Sequence, residues 1–135
     1  MAGFKNEQQY ALVLSTDGQI SIDHVTQGKV DSFIHDVVEG YFEAIRIPQC
    51  GALGPVFFAN DCLMLVNDNK YINNLHFNPI ATLIATSSDA ESPIIHLFGN
   101  AVILRKQGDM LAPFTKDEAT DIVLLIQRKL KRGVR

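Results

Sequence analysis

Two carboxylates, Glu39 and Glu43, flank a glycine in this sequence and could act as an acid–base pair. Carboxylates in different environments can serve one as general acid and the other as general base. A simpler interpretation places Glu39 at a solvated helix end and Glu43 on the outward side of a strand. The enzyme hypothesis, with an unconventional site near Glu43, therefore stays an alternative.

Asparagines gather around the predicted turns of the chain. A side-chain amide both donates and accepts hydrogen bonds, so several together could bind a polar ligand such as a nucleotide or a sugar. Asparagine also tolerates left-handed backbone and caps helices, which explains most of these positions more simply. Both interpretations stay open for Asn60, Asn67, Asn69, Asn73, Asn74, Asn78 and Asn100.

The chain ends with a basic stripe, four cationic residues at the spacing of one helix face: Arg128, Lys131, Arg132 and Arg135. Phosphate groups bind such stripes, so nucleic-acid binding is a second hypothesis. The last eight residues carry +5, however, so residues 1–127 carry −3 − 5 = −8, a charge that repels DNA. A solvated helix end or a frayed tail over residues 128–135 is the simpler interpretation, and nucleic acid is not favoured. The candidate nucleic-acid-binding residues are Arg105, Lys106, Arg128, Lys131, Arg132 and Arg135.

Motifs of common enzyme classes are missing from the sequence. It has no G-x-S-x-G nucleophile turn, no phosphate-binding loop and no paired-histidine metal motif. Four histidines lie on separate segments, and Cys50 and Cys62 lack the spacing of a zinc site. We therefore predict no metal site, no cofactor, and two reduced thiols that are buried or half-buried.

Apolar periodicity predicts three helices, near residues 29–39, 79–86 and 116–131. The first has a single apolar stripe and a glycine at position 40 suited to a left-handed C-terminal cap. The second begins with Asn78 as N-cap and Pro79 in the first turn. The third begins at Thr115 and Glu118, which match the capping box.

Strand signals lie before and between these helices. They predict an opening hairpin of Tyr10–Leu14 and Gln19–Val25, and a strand at Tyr41–Ile47 followed by a loop over Gln49–Pro55. Val56–Asn60 and Cys62–Val66 form either a second hairpin or one bent strand. Further strands are predicted at Ile94–Phe98 and Ala101–Leu104. Together the elements predict a single α+β domain over residues 1–135, with a mostly antiparallel or mixed sheet.

Composition indicates an ordinary globular protein, with 47% hydrophobic and 20% charged residues. No apolar run is long enough to cross a membrane, and the first residues lack the apolar core of a signal peptide. We therefore expect a cytoplasmic protein with no membrane partner. Two-fold oligomers are common, and an exposed strand edge at Val56–Phe58 or Ile94–Phe98 would favour a homodimer.

Four short segments in fixed order carry a resemblance to a known family. They are Val38–Glu43 (V-E-G-Y-F-E), Leu63–Asp68 (L-M-L-V-N-D), Asn78–Thr82 (N-P-I-A-T) and Leu97–Val102 (L-F-G-N-A-V). The chain thereby resembles the phage, plasmid and bacterial proteins catalogued as domain of unknown function 3846. It departs from the family pattern at Glu39, which replaces the first of two glycines, and at Lys70. The first change predicts that position 39 needs no glycine-like backbone.

The resemblance implies an accessory protein of phage or mobile-element origin, but no catalytic residue. Our leading hypothesis is a non-enzymatic binding module that acts on a host protein or a small polar ligand, for example to counter host defence. Of the two carboxylates, Glu43 is the stronger candidate for a functional residue because it lies inside a family-like segment. The candidate ligand-binding residues are Tyr41, Glu43, Asn67, Asn78, Thr82 and Asn100.

Overall fold

The structure is a computed structural model that describes residues 7–26, 28–68, 74–89, 91 and 95–133. Within these ranges the chain forms helices and strands that confirm the predicted α+β class. In chain order they are β1 Tyr10–Leu14, β2 Ile20–His24, α1 Val30–Val38, β3 Phe42–Arg46, β4 Cys50–Gly51, β5 Gly54–Pro55, β6 Cys62–Asn67, α2 Pro79–Ala85, β7 Ala101–Gln107, β8 Met110–Ala112 and α3 Lys116–Gly133.

The main sheet has the strand order β2-β1-β7-β6-β3, and its neighbours are antiparallel. β7 lies at the centre, where Ile103 pairs with Leu12 of β1 on one side and with Met64 of β6 on the other. β8 folds back onto the far end of β7. The opening hairpin is confirmed, and β2 and β3 form the two edges of this sheet.

Helices cover both faces of the sheet. Alternate residues of β7 point to opposite faces, so Val102 and Leu104 pack with α1 while Ala101 and Ile103 pack with α2 and α3. All four side chains are buried, which explains why this strand is a continuous apolar run instead of an alternating one. Among the described helices, none combines the length and apolar composition needed to cross a membrane.

The end of α1 differs from the prediction. Glu39, and not Gly40, takes the left-handed backbone, with φ 64° and ψ 44°. Its N–H donates to the His35 carbonyl, and Gly40 N–H reaches the same oxygen at 3.2 Å, as in a Schellman cap. The Asn67 amide donates to the Val38 carbonyl at 3.0 Å and so satisfies one of the carbonyls left free at the helix end. The expectation that position 39 is unstrained is therefore wrong.

The structure corrects two strand predictions and one loop prediction. The predicted strand at Val56–Asn60 is wrong, because residues 57–60 form a turn and Val56 belongs to no strand. Phe58 and Ala59 pack in the same core, whereas consecutive residues of a strand point to opposite faces. The predicted loop at Gln49–Pro55 contains the small β4–β5 ribbon. Of Ile94–Phe98, residue 94 lies outside the described ranges and the rest is not a strand, apart from one bridge between Phe98 and Phe77.

The segment before β7 does not form a strand because its backbone groups are hydrogen-bonded to residues of α2 and its N-cap. Leu97 N–H donates to the Thr82 hydroxyl at 3.0 Å, and the Leu97 carbonyl accepts from Asn78 N–H at 2.8 Å. Neither predicted edge segment is thus an edge strand. The homodimer stays a prediction.

Both helix starts read from the sequence are confirmed. The Asn78 side-chain oxygen accepts from Ala81 N–H at 3.0 Å, and Pro79 occupies the first turn of α2. At α3, Thr115 N–H donates to the Glu118 carboxylate at 2.9 Å while Glu118 N–H donates to the Thr115 hydroxyl at 3.2 Å. These reciprocal bonds are the capping box.

Candidate functional site

A polar cleft of about 210 Å³ opens where four separate segments meet. One wall comes from the turn between β1 and β2, and another from the end of α1. The segment before α2 and the segment before β7 complete it. The polar cleft is lined by Thr16, Glu39, Asn74, Leu75, His76, Gly99 and Asn100.

Left-handed backbone concentrates in the polar cleft. Among the described residues, the non-glycine residues with positive φ are Glu39 at 64° and Asn74 at 54°, and both line it. Gly99, with φ 85°, lines it too, and a Cβ there would lie 3.1 Å from Leu75 Cδ1. At Glu39 this backbone costs about 1–2 kcal/mol, whereas asparagine adopts it more readily. Strained backbone clusters at functional sites.

Hydrogen-bonding groups of the cleft point to a polar ligand. Asn100 Oδ1 accepts from Thr16 N–H at 3.2 Å, while its Nδ2 has no partner among the described residues and can donate. The exposed Glu39 carboxylate forms no ion pair within the described chain and can accept. The exposed His76 ring can do either. The cleft therefore suits a molecule bearing hydroxyl or amino groups.

Three predicted ligand-binding residues lie behind the cleft and hold its backbone. Asn78 is fully buried, and its Nδ2 donates to the Leu14 and Gly99 carbonyls, each at 2.9 Å. Asn67 is also buried and supports the end of α1, with Nδ2 3.5 Å from the Glu39 carbonyl. Thr82 bonds the segment before β7 as described above. These side chains position the cleft and do not line it.

Tyr41 and Glu43 do not line the polar cleft. Tyr41 is 63% exposed and makes an edge contact with the His35 ring at 5.9 Å. Glu43 is exposed on β3, opposite Val66 of β6. The structure thus separates Glu43 from the cleft carboxylate Glu39. Of the six predicted ligand-binding residues, Asn100 alone lines the cleft.

Sequence reasoning missed most of the cleft lining. Asn74 belonged to the asparagine set, but Thr16 and His76 carried no signal of their own. The interpretation of Glu39 as a solvated helix end hides its part in the cleft. Its place directly before Gly40 at the end of a predicted helix is the available signal, since helices commonly end with one left-handed residue.

A second cleft, of about 340 Å³, lies against the N-terminal half of α3. Arg105 and Lys106 of the nucleic-acid-binding set line it together with three carboxylates. Arg105 Nη1 lies 3.4 Å from Glu118 Oε1, so its charge is already paired. The second cleft is lined by Phe57, Phe58, Asp61, Cys62, Arg105, Lys106, Phe114, Glu118, Asp121 and Ile122.

The other predicted nucleic-acid-binding residues lie away from this cleft. Arg128 is exposed and ten residues beyond Glu118 along α3, which corresponds to about 15 Å at 1.5 Å per residue. Lys131 is exposed still further along, while the Arg132 side chain and Arg135 lie outside the described residues. The described members of the set therefore form two separate groups. Nucleic-acid binding stays a prediction.

The thiols differ in environment. Cys62 is buried, and desolvation raises the pKa of its thiol to about 12, so it is neutral and unreactive at ordinary pH. Cys50 is exposed, contrary to the expectation of a buried or half-buried thiol. In the part of the chain that the structure describes, no three His, Cys, Asp or Glu side chains are grouped to hold a metal ion.

Comparisons of this chain with protein-family models, curated proteins and solved structures found no match. The structure itself defines the class of protein: an α+β fold whose antiparallel sheet carries helices on both faces. Function is therefore inferred from the geometry of its clefts.

Proposed function

We propose that this protein binds a small polar molecule in the polar cleft and does not transform it. One observation carries the proposal: Glu39 and Asn74, the non-glycine residues of the described chain with left-handed backbone, both line this cleft. Closing helix α1 accounts for the left-handed backbone at Glu39 but not for a side chain there, because glycine would close the helix without strain. Strained backbone clusters at ligand-binding sites, where it presents side chains to a ligand.

The supporting residues strengthen this interpretation. Asn78 and Asn67 are buried polar side chains whose hydrogen bonds end on the backbone of Gly99 and Glu39, both cleft residues. Buried polar groups fix a single geometry when all their bonds are satisfied. They hold the cleft walls in place before a ligand arrives, which reduces the entropy lost on binding.

The size and charge of the cleft define the class of ligand. A cleft of about 210 Å³ is small and suits a ligand of the size of a pentose or hexose. The Glu39 carboxylate would accept from a hydroxyl or amino group, and Asn100 Nδ2 would donate to a ligand oxygen. A neutral sugar or an amino sugar matches these groups.

We propose binding without turnover because the described lining groups offer no prepared nucleophile–base pair. Covalent catalysis needs a nucleophile hydrogen-bonded to a base, and none of the described hydrogen bonds joins such a pair within the cleft. Glu43, the residue on which the enzyme hypothesis rests, lies elsewhere. The family resemblance adds an accessory role in a host cell, in which a phage or mobile-element protein would sequester such a molecule in the cytoplasm.

Titration calorimetry with D-ribose, D-glucose and D-glucosamine tests the proposal. We expect saturable one-to-one binding of at least one of them, weakened about tenfold or more by Glu39→Gln, because a hydrogen bond to a charged group contributes about 1.5–3 kcal/mol. Glu43→Gln is the matched control, an exposed glutamate outside the cleft, and should leave the affinity unchanged. Equal effects of the two substitutions, or no saturable binding of any probe, would refute the proposal.

A further inference from the structure

The second cleft has an apolar floor beneath a charged rim. Four of its lining side chains are at most 3% exposed: Phe58, Cys62, Phe114 and Ile122. At the mouth, the Phe57 side chain is 64% exposed and meets Phe58 edge to face, with ring centroids 5.6 Å apart. An apolar floor with a few polar groups around it is the usual composition of a small-molecule site.

The charges at the rim do not cancel. Two cations, Arg105 and Lys106, face three carboxylates, so the lining carries one net negative charge. Arg105 is already paired with Glu118 at 3.4 Å. Asp61 and Asp121 are exposed, and neither forms an ion pair with any residue that the structure describes. Lys106 forms no described ion pair either, so the groups left over are two carboxylates and one ammonium, and the rim has a net negative charge that favours a cation.

We propose that the second cleft binds an aromatic amine, a molecule with one aromatic ring and a short alkylammonium group. The ring packs on the exposed ring of Phe57 and over the accessible edges of Phe58 and Phe114, and its removal from water contributes to the affinity. The ammonium group lies at the rim beside Asp61 or Asp121. The exposed ring of Phe57 adds a cation–π contact.

The dimensions of the cleft agree with this class of ligand. About 340 Å³ corresponds to about eleven waters, enough for one ring with a chain of two or three atoms. An anionic ligand would meet the net negative rim, and phosphate would meet three carboxylates. None of the lining residues belongs to the polar cleft, so this inference is independent of the proposed function.

A charge-reversed pair of probes tests the ligand class. The intact protein is titrated with 2-phenylethylamine and with 3-phenylpropionate, which share a ring and a short chain but carry opposite charges. Binding is followed by amide chemical shifts in two-dimensional NMR. We expect saturable shifts at cleft residues for the amine and affinity at least tenfold lower for the acid. Equal affinities, or the absence of saturable shifts with the amine, would overturn the proposal.

Substitutions at exposed positions then separate this site from general charge effects. Asp121→Asn should weaken 2-phenylethylamine about two- to fivefold, as expected for one exposed charge pair. Asp117→Asn is the matched control, since Asp117 is an exposed aspartate of α3 outside the cleft. Phe57→Leu should also weaken binding, while Asn100→Ala in the polar cleft should not. Equal loss from Asp121→Asn and Asp117→Asn would contradict binding at this cleft.

Discussion

Replacing Glu39 by glycine should make this protein more stable. Glu39 ends α1 with φ 64° and ψ 44°, a conformation that glycine adopts without steric cost. The substitution removes no described hydrogen bond of the side chain, because the bonds that close the helix end use backbone N–H groups. The change therefore acts on the backbone and on one surface charge.

The magnitude follows from three contributions. Releasing the left-handed strain of a residue with a side chain gains about 1–2 kcal/mol. Glycine loses about 0.4–1 kcal/mol of this through the greater entropy of the unfolded chain. Removing a negative charge from the C-terminal end of a helix gains a further 0.3–1 kcal/mol or so. The expected net stabilisation is about 1 to 2 kcal/mol.

Urea unfolding followed by circular dichroism measures this change, provided that the transition is two-state. Glu39→Gln and Glu39→Ala are the controls, because both remove the charge and keep a Cβ in the left-handed conformation. The glycine variant should exceed the alanine variant by about 1 kcal/mol, or roughly 3–4 °C in Tm for a chain of this length.

The outcome also bears on the polar cleft. If Glu39→Gly and Glu39→Ala were equally stable, position 39 would carry no backbone strain and the main support for the proposed site would be lost. If glycine stabilises the fold and also weakens sugar binding, the strain is retained for the sake of the carboxylate. Natural proteins commonly give up stability at functional positions in this way.

Three further predictions concern stability. Asn78→Ala should cost about 3 kcal/mol in urea unfolding, since it removes an N-cap and leaves two backbone carbonyls without their buried donor, whereas Asn60→Ala in an exposed turn should cost little. Thr115→Ala should cost about 1 kcal/mol by the same assay through loss of the capping box with Glu118; no loss would contradict that role. The Cys62 thiol has a pKa of about 12 in the folded chain against an ordinary 9.0, so its contribution to stability is complete below pH 9. Above pH 9 the unfolded state loses this proton first, and stability should fall by up to about 1.4 kcal/mol per pH unit relative to Cys62→Ala; parallel pH profiles of the two proteins would refute this.

Much of the fold was predictable because its signals are local. The α2 and α3 helices begin with side chains that bond their own first turn, and such bonds depend only on neighbours in sequence. The opening hairpin is likewise set by its turn and by strand alternation. Local rules failed where tertiary bonds competed with them. Leu97 and its neighbours looked like a strand, but Thr82 and Asn78 take the backbone groups that a strand would pair.

The polar cleft was less predictable because it assembles from distant segments. Thr16, His76 and Asn100 meet only after the sheet has formed, and no local pattern marks the first two. Among the asparagines that the sequence analysis names, Asn67 and Asn78 are buried and support the backbone of the cleft instead of lining it. A side chain that lines a site and one that holds it are indistinguishable in a single sequence.

The central position of β7 has a consequence for synthesis of the chain. β1 pairs with β2 on one side and with β7 on the other. β7 is synthesised only after α2, long after β1. Until then the first hairpin and the β3–β6 pair each present an open edge to other chains. Folding that waits for such distant pairing is slow. A nascent chain halted before Ala101 should therefore be prone to aggregation, and we expect the cell to need chaperones until the sheet closes.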